Sequence, residues 1–244
     1  MIKLINVGKK FGDHWAVRDL NIEVSKGEIF GFLGPNGAGK TTTIKMMAGI
    51  LKPSSGQISV DSHDIVKDPI SAKSIIGYIP DKGFLYEKLK GREFLDFVAA
   101  LYKMDAKYTE RKIDEMAATF SIKGILNELI ENYSAGMKQR LIFAAALLHD
   151  PVVLLIDEPI IGLDPKGVIM LKKLLGELAS GGLTVFMATH SILLAEELCS
   201  SIGIINEGKL IALGAKEEFS GGGRKLEDFF LRITEEKNYS GDMG

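Results

Sequence analysis

Residues 34–42 read GPNGAGKTT and fit the phosphate-binding P-loop pattern, with the apolar run GEIFGFL before them and the helix-forming run TTTIKMMAGIL overlapping their end. Gly34, Gly37 and Gly39 let the backbone curl around a polyphosphate, so that successive amide N–H groups point inward with no Cβ in the way. Pro35, Asn36, Ala38 and Thr42 complete the cradle, Lys40 reaches the β/γ-phosphates, and Thr41 offers its hydroxyl to Mg²⁺. A helix opening near Lys40 adds its positive N-terminal end. ATP is the expected ligand.

Composition narrows the classes around this loop. The 244 residues suffice for one large α/β domain or a core with an inserted lobe. A net charge of −2, from 30 basic and 32 acidic side chains, argues against an electrostatic nucleic-acid binder. No run reaches the roughly eighteen apolar residues of a membrane span. The opening MIKLINVGKKFG lacks the apolar core of a secretory signal. The single cysteine, Cys199, lies in an apolar stretch and can form no internal disulfide, so it reads as a buried filler in a reducing compartment. A cytoplasmic protein is expected.

Outward from the loop, residues 2–6 and 20–24 read as short strands of an antiparallel patch, joined by the turn-like KKFGDHWAVRD. Phe11, 29 residues before Lys40, either stacks on the nucleotide base or packs in the core, and Trp15 is a second candidate for the stacking. After the P-loop helix come the strand of KPSSGQISV and the apolar run 75–79, which ends at Pro80 and Asp81. From about residue 85 to 149 the periodicity is helical, with Phe94, Phe97, Val98 and Leu101 on one stripe, read as lobe core rather than as a partner surface. From Pro151 strands and helices alternate, which predicts a mostly parallel sheet covered on both faces. The expected fold is therefore α/β: a P-loop NTPase core over 1–84 and 150–219, with the N-terminal antiparallel patch and a helical lobe over 85–149. Residues 220–244 read as a flexible break (SGGGRK), a short amphipathic helix and a mobile tail.

Three further segments carry chemistry. VVLLIDE ends an apolar strand in two carboxylates, at the edge where α/β sheets gather ligands. Asp157 reads as the Walker B acid that holds Mg²⁺, and Glu158 as the base that takes a proton from attacking water. His190 closes the strand TVFMATH, where it can bond the γ-phosphate and distinguish ATP from ADP. NYSAGMKQRL, at 132–141, puts a Ser-Ala-Gly turn before an apolar helix, a second helix-terminus anion site on the inserted lobe.

In order along residues 2 to about 219, GPNGAGKTT, YSAGMKQR, VVLLIDE, the following GLDP and the histidine of MATH together resemble the ATP-binding cassette (ABC) family. The resemblance implies that Ser134 and Gly136 cover the γ-phosphate bound by a second chain, giving a head-to-tail pair around two ATPs. Asp164 of GLDP matches the D-loop along that interface. It further implies a transport ATPase whose lobe and Q-loop receive a short helix from an integral membrane permease, with the chain peripheral on the inner face of the cell membrane and the second cassette most simply an identical copy. Three departures stand out. Ala135 and Met137 replace a glycine and a glutamine of the usual LSGGQ, Asp81 stands where the Q-loop glutamine is expected and reads as a candidate Mg²⁺ contact through water, and Phe11 replaces the commoner tyrosine. LEDFFLRITEE and the YSxGMxQR form resemble ATPases of small exporter-like (ABC-2-type) permeases, so export is expected over import. The alternatives are an ATPase of a soluble assembly scaffold, such as iron–sulfur cluster assembly, and a P-loop kinase; the latter leaves the signature and His190 unexplained.

Overall fold

The structure, a computed structural model, describes residues 1–159, 165–220 and 226–235. Asp164, most of the expected break and the expected tail lie outside them. β1 (Ile2–Phe11) and β2 (His14–Val24) form an antiparallel hairpin joined by Gly12 and Asp13. The segment expected to be a turn is thus mostly strand. Register shifts absorb its broken alternation, and Gly12, at φ 58°, supplies the left-handed residue that a two-residue loop requires.

β3 (Ile29–Leu33) runs into the P-loop and α1 (Lys40–Met47), followed by β4 (Ser55–Val60), β5 (His63–Asp64), α2 (Pro69–Ser74) and β6 (Ile76–Ile79). β5 and α2 had no sequence-level signal, because two and six residues are too short to display a period. Next come α3 (Gly91–Leu101), α4 (Ala106–Thr119), two short 3₁₀ turns and α5 (Ala135–Leu147). The remaining elements are β7 (Val153–Asp157), α6 (Pro165–Ser180), β8 (Thr184–Thr189), α7 (Ile192–Leu198), β9 (Ser201–Asn206), β10 (Lys209–Ala215), α8 (Lys216–Ser220) and α9 (Leu226–Glu235). Among the described residues no helix is long and apolar enough to cross a membrane.

Two sheets result. One is antiparallel, in the order β2-β1-β4-β5; the other, in the order β10-β9-β3-β8-β7-β6, is parallel except for its β9–β10 edge. Every residue of β3, β7 and β8 is buried, as expected of parallel strands covered on both faces. One core fills the space between the sheets, where Phe186 packs against Phe30 and Phe32 with ring centroids 5.1 and 5.4 Å away. The other covers the opposite face of the parallel sheet under α6, α7 and α9 and continues into α3–α5. Cys199 belongs to the latter. A Cβ on Gly31 would come within 2.8 Å of its Sγ, so the glycine in β3 lets the end of α7 close onto the sheet. Burial pushes the thiol up to about 12, which keeps it unreactive.

The α3 stripe divides. Phe94 is buried with Leu95 and Ala99, whereas Phe97 is exposed and Leu101 is 64 % exposed. The reading of the whole stripe as lobe core therefore holds for only part of it, because α4 and α5 cover one side of α3 and leave the other open.

Candidate functional site

Strand register assembles the site. β3 and β7 both flank β8, with Leu33 opposite Thr189 and Asp157 opposite Ala188. The P-loop, the two acids and His190 therefore leave the sheet together, at the C-terminal ends of three adjacent parallel strands.

Backbone geometry shapes the loop first. Gly37 and Gly39 have φ of 81° and 109°, conformations that L side chains rarely adopt. A Cβ on Gly34 would fall 2.3 Å from the Ile205 carbonyl oxygen, and one on Gly39 2.6 Å from that of Ala16. Those two glycines thus pack the loop against β9 and β2, while the Cβ of a residue at Gly37 would meet nothing within 4 Å. Gly39 is the N-cap of α1, whose first residue is Lys40. The Lys40 ammonium is buried and donates to the carbonyls of Gly34 at 2.7 Å and Pro35 at 3.0 Å. Desolvation lowers its pKa, and the negative charges of Glu158 and Asp157 oppose the shift. A cavity of about 210 Å³ opens here, lined by Asn36, Gly37, Gly39, Lys40, Thr41 and Thr42 from the loop and by Asp81 and Glu158 across from it.

His14 and Ala16 from β2 also line this cavity. Neither carried a sequence signal, since only the hairpin's fold brings them to the P-loop. Phe11, about half exposed three residues before His14, is not among the lining residues, and Lys9 Nζ lies 5.1 Å from its ring centroid. Trp15 is engaged by Arg18, 5.3 Å over its ring. A larger cavity, about 410 Å³, lies between α4 and α6, away from these groups.

Asp157 is held at an electrostatic cost. It is 1 % exposed, and neither carboxylate oxygen has a well-formed hydrogen-bond partner. Burial raises its pKa; the Thr41 hydroxyl and Lys40 offset that only in part, while Asp81 and Glu158 reinforce it by repulsion. A buried carboxylate without a well-formed hydrogen bond, beside a threonine hydroxyl, has the chemistry to hold a divalent cation. Among the described residues no three His, Cys, Asp or Glu side chains converge into a cage.

Glu158 follows at φ 56°, with its N–H on the Ala188 carbonyl at 2.9 Å. Its Oε1 accepts from His190 Nδ1 at 2.9 Å and from the His190 backbone N–H at 3.1 Å, and its Oε2 accepts from the Thr189 hydroxyl at 3.1 Å. The sequence marks Glu158 and His190 separately; their direct contact, and that of Thr189, are visible only in the fold. The signal available was a hydroxyl ending the otherwise apolar run VFMA.

Ser134 caps α5, accepting from the Met137 N–H at 3.3 Å. It is exposed, and neither Ser134 nor Gly136 lines the P-loop cavity. Asp164 lies outside the described residues.

Comparison with known proteins accords with this geometry. Residues 17–161 match the family model described as ABC transporter. The chain is 40% identical over 212 residues to the bacitracin transport ATP-binding protein BcrA of Bacillus licheniformis, covering 86% of this chain and 68% of that one. It is 35% identical over 221 residues to the daunorubicin resistance ATP-binding protein DrrA3 of Streptomyces coeruleorubidus, covering 90% and 70%. Among solved structures, the ATP-binding subunit of an ABC transporter superposes with a TM-score of 0.89 at 28% identity, over 96% of this chain and 99% of that one. A dimeric ATP-binding cassette in a post-hydrolysis state, bound to ADP and Pi, superposes with a TM-score of 0.77 at 26% identity, over 88% and 98%. With the P-loop, the paired acids and the strand-end histidine gathered at one sheet edge, and with that match spanning more than half of its length, the chain belongs to the ABC transporter family, as an ATP-binding subunit.

Proposed function

We propose that this chain hydrolyses ATP as one half of a head-to-tail pair and so drives a separate membrane permease, in the direction of export. The observation that carries this reading is the Glu158 carboxylate on the wall of the P-loop cavity, beside Lys40 and Thr41. Glu158 takes a proton from a water molecule as the water oxygen bonds to the γ-phosphorus. The bond from that phosphorus to the bridging oxygen breaks, its electron pair leaves with ADP, and inorganic phosphate is released. Lys40 turns its ammonium from the Gly34 and Pro35 carbonyls to the phosphates, and the P-loop amides hold them in place. His190 moves from Glu158 to the γ-phosphate. Thr41 and Asp157 would hold Mg²⁺, with Asp81 within reach through water, and the ion would supply neutralisation of phosphate charge. Phe11 stands at the hairpin tip as the base-stacking candidate.

The exposed Ser134 and the half-buried Gly136, neither of which lines its own chain's P-loop cavity, support a role on a partner's ATP, as does the likeness to a dimeric cassette bound to ADP and Pi. Asp164 is assigned to that interface by its place in GLDP. The reading divides the chain into a core, 1–84 and 150–219, and a lobe, 85–149. Between core and lobe, at the end of β6, a cavity of about 300 Å³ is lined by Tyr78, Pro80 and Phe84 from the core and by Leu101 and Ile142 from the lobe, among others. Phe84 is 77 % exposed and stacks edge-on to Tyr86, which does the same to Phe97. This apolar shelf suits a short permease helix and would hold the chain peripherally at the inner face of the membrane. Export rests on likeness to proteins named for daunorubicin resistance and bacitracin transport.

The decisive experiment uses Glu158→Gln. With ATP and Mg²⁺ the variant should elute as a nucleotide-filled dimer and release phosphate at least about a hundredfold more slowly than the parent. Parental turnover in that variant removes Glu158 from the base role; a strictly monomeric, ATP-loaded variant removes the pair.

A further inference from the structure

We propose that Thr189 is a positioning residue that aims the Glu158 carboxylate at the attacking water. This rests on the reading of Glu158 as the base and names a residue which that reading does not require. Thr189 is the last residue of β8 and is fully buried, so its side chain has no solvent with which to exchange hydrogen bonds. Its Oγ1 accepts the Ser191 backbone N–H at 3.0 Å and lies 3.1 Å from Glu158 Oε2. A hydroxyl carries one proton, and an ionised carboxylate can only accept. With Ser191 already donating to the oxygen, the hydroxyl proton has one productive direction, toward Oε2. The donor is therefore pre-aimed by the backbone of the residue that caps α7.

The two oxygens of Glu158 are held unequally. Oε1 takes both contacts from His190, through the ring and the backbone N–H, whereas Thr189 is the donor on Oε2. When the imidazole swings to the γ-phosphate, the Oε1 lone pair facing it becomes free for water. The carboxylate must then keep its orientation without the ring. Thr189 can hold it, because its own place is set by the core and not by nucleotide: Thr189 pairs with Leu33 of β3 in the middle of the parallel sheet. The Glu158 backbone is already pinned at φ 56° by its N–H on Ala188, which leaves the side-chain torsions as the freedom to be removed. A base misaimed by about 1 Å costs on the order of a hundredfold in rate.

The test compares Thr189→Val, which keeps the shape and loses the hydroxyl, with Thr189→Ser, which keeps the hydroxyl and loses the methyl, alongside Glu158→Gln. Phosphate release is measured across a range of ATP concentrations. Thr189→Val should lower kcat about ten- to a hundredfold with KM for ATP changed less than about threefold, and Thr189→Ser should stay within about threefold of the parent in kcat. Parental kcat in Thr189→Val, with Glu158→Gln inactive, overturns the positioning role and leaves the base in place. Equal losses in the Val and Ser variants also overturn it, since the methyl's packing would then be at work. Parental turnover in Glu158→Gln overturns the underlying reading instead. Thermal melting accompanies each variant; if Thr189→Val does not fold, Thr189→Cys, with its feeble S–H donor, replaces it under the same criteria.

Discussion

Glu158 Oε1 and His190 Nδ1 lie 2.9 Å apart, although 32 residues separate them in the chain. Because an ionised carboxylate only accepts, Nδ1 carries the proton in this contact. A neutral ring so committed has a bare Nε2, which cannot donate to a phosphate oxygen. To reach the γ-phosphate as a donor, the imidazole must let go of Glu158 and turn its Nδ1–H to the phosphate oxygen. His190→Ala should therefore lower kcat about a hundredfold or more while leaving ATP affinity within a few-fold, as read by steady-state phosphate release and by titration with a fluorescent nucleotide.

Gly39 and Gly37 make a paired test of the loop. Both have positive φ, but only Gly39 faces a backbone oxygen, that of Ala16, at 2.6 Å from where a Cβ would sit. Gly37→Ala should cost about 1–2 kcal/mol of stability through its backbone conformation alone. Gly39→Ala should cost more, because the P-loop must also lift from β2, and its ATP affinity should fall more than about tenfold. Chemical denaturation of the nucleotide-free proteins would rank the two.

Asp157→Asn should stabilise and disable at once. The carboxylate is buried with neither oxygen in a well-formed hydrogen bond, and burial raises its pKa from the ordinary aspartate value. Its charged form is thus unfavourable at neutral pH, and the penalty lessens as pH falls toward the raised value. An amide removes the charge, so the nucleotide-free variant should melt a few degrees higher, corresponding to about 1–3 kcal/mol. Added Mg²⁺ and ATP should then stabilise it less than they do the parent, and turnover should be lost.

His149 predicts a distinct pH response. Its ring stacks on Tyr102 with centroids 3.6 Å apart, Nε2 donates to the Ile76 carbonyl at 3.2 Å, and Nδ1 is buried without a partner. Desolvation lowers its pKa from 6.5 to about 4, against the smaller upward pulls of Ile76 and Asp150. The unfolded chain therefore binds a proton that the folded chain refuses between those values, so stability should fall as pH drops from 6.5 toward 4. The loss should approach about 3 kcal/mol by urea denaturation, and His149→Phe should remove that part of the pH dependence.

The parallel strands were legible because runs of four or five consecutive apolar residues read alike in the sequence and in the sheet. The β1–β2 hairpin was legible only at its ends, since its shifts of register break the alternation by which a strand is recognised. The α3 stripe shows the opposite failure. Phe94 and Leu101 carry the same periodic signal, yet one is buried and the other 64 % exposed, because periodicity defines a face without stating what covers it.

Consecutive residues were enough to define the phosphate cradle and the acidic strand end, because the groups that act there are adjacent in the chain and largely backbone in nature. The sequence thereby established the family resemblance and the place of the chemistry. The clasp of Thr189 and His190 on Glu158, the unpartnered state of Asp157 and the arrival of His14 and Ala16 at the cavity depend on which strands lie side by side and in what register. Register is an outcome of packing the whole core, and a shift of one residue would turn each of those side chains to the other face.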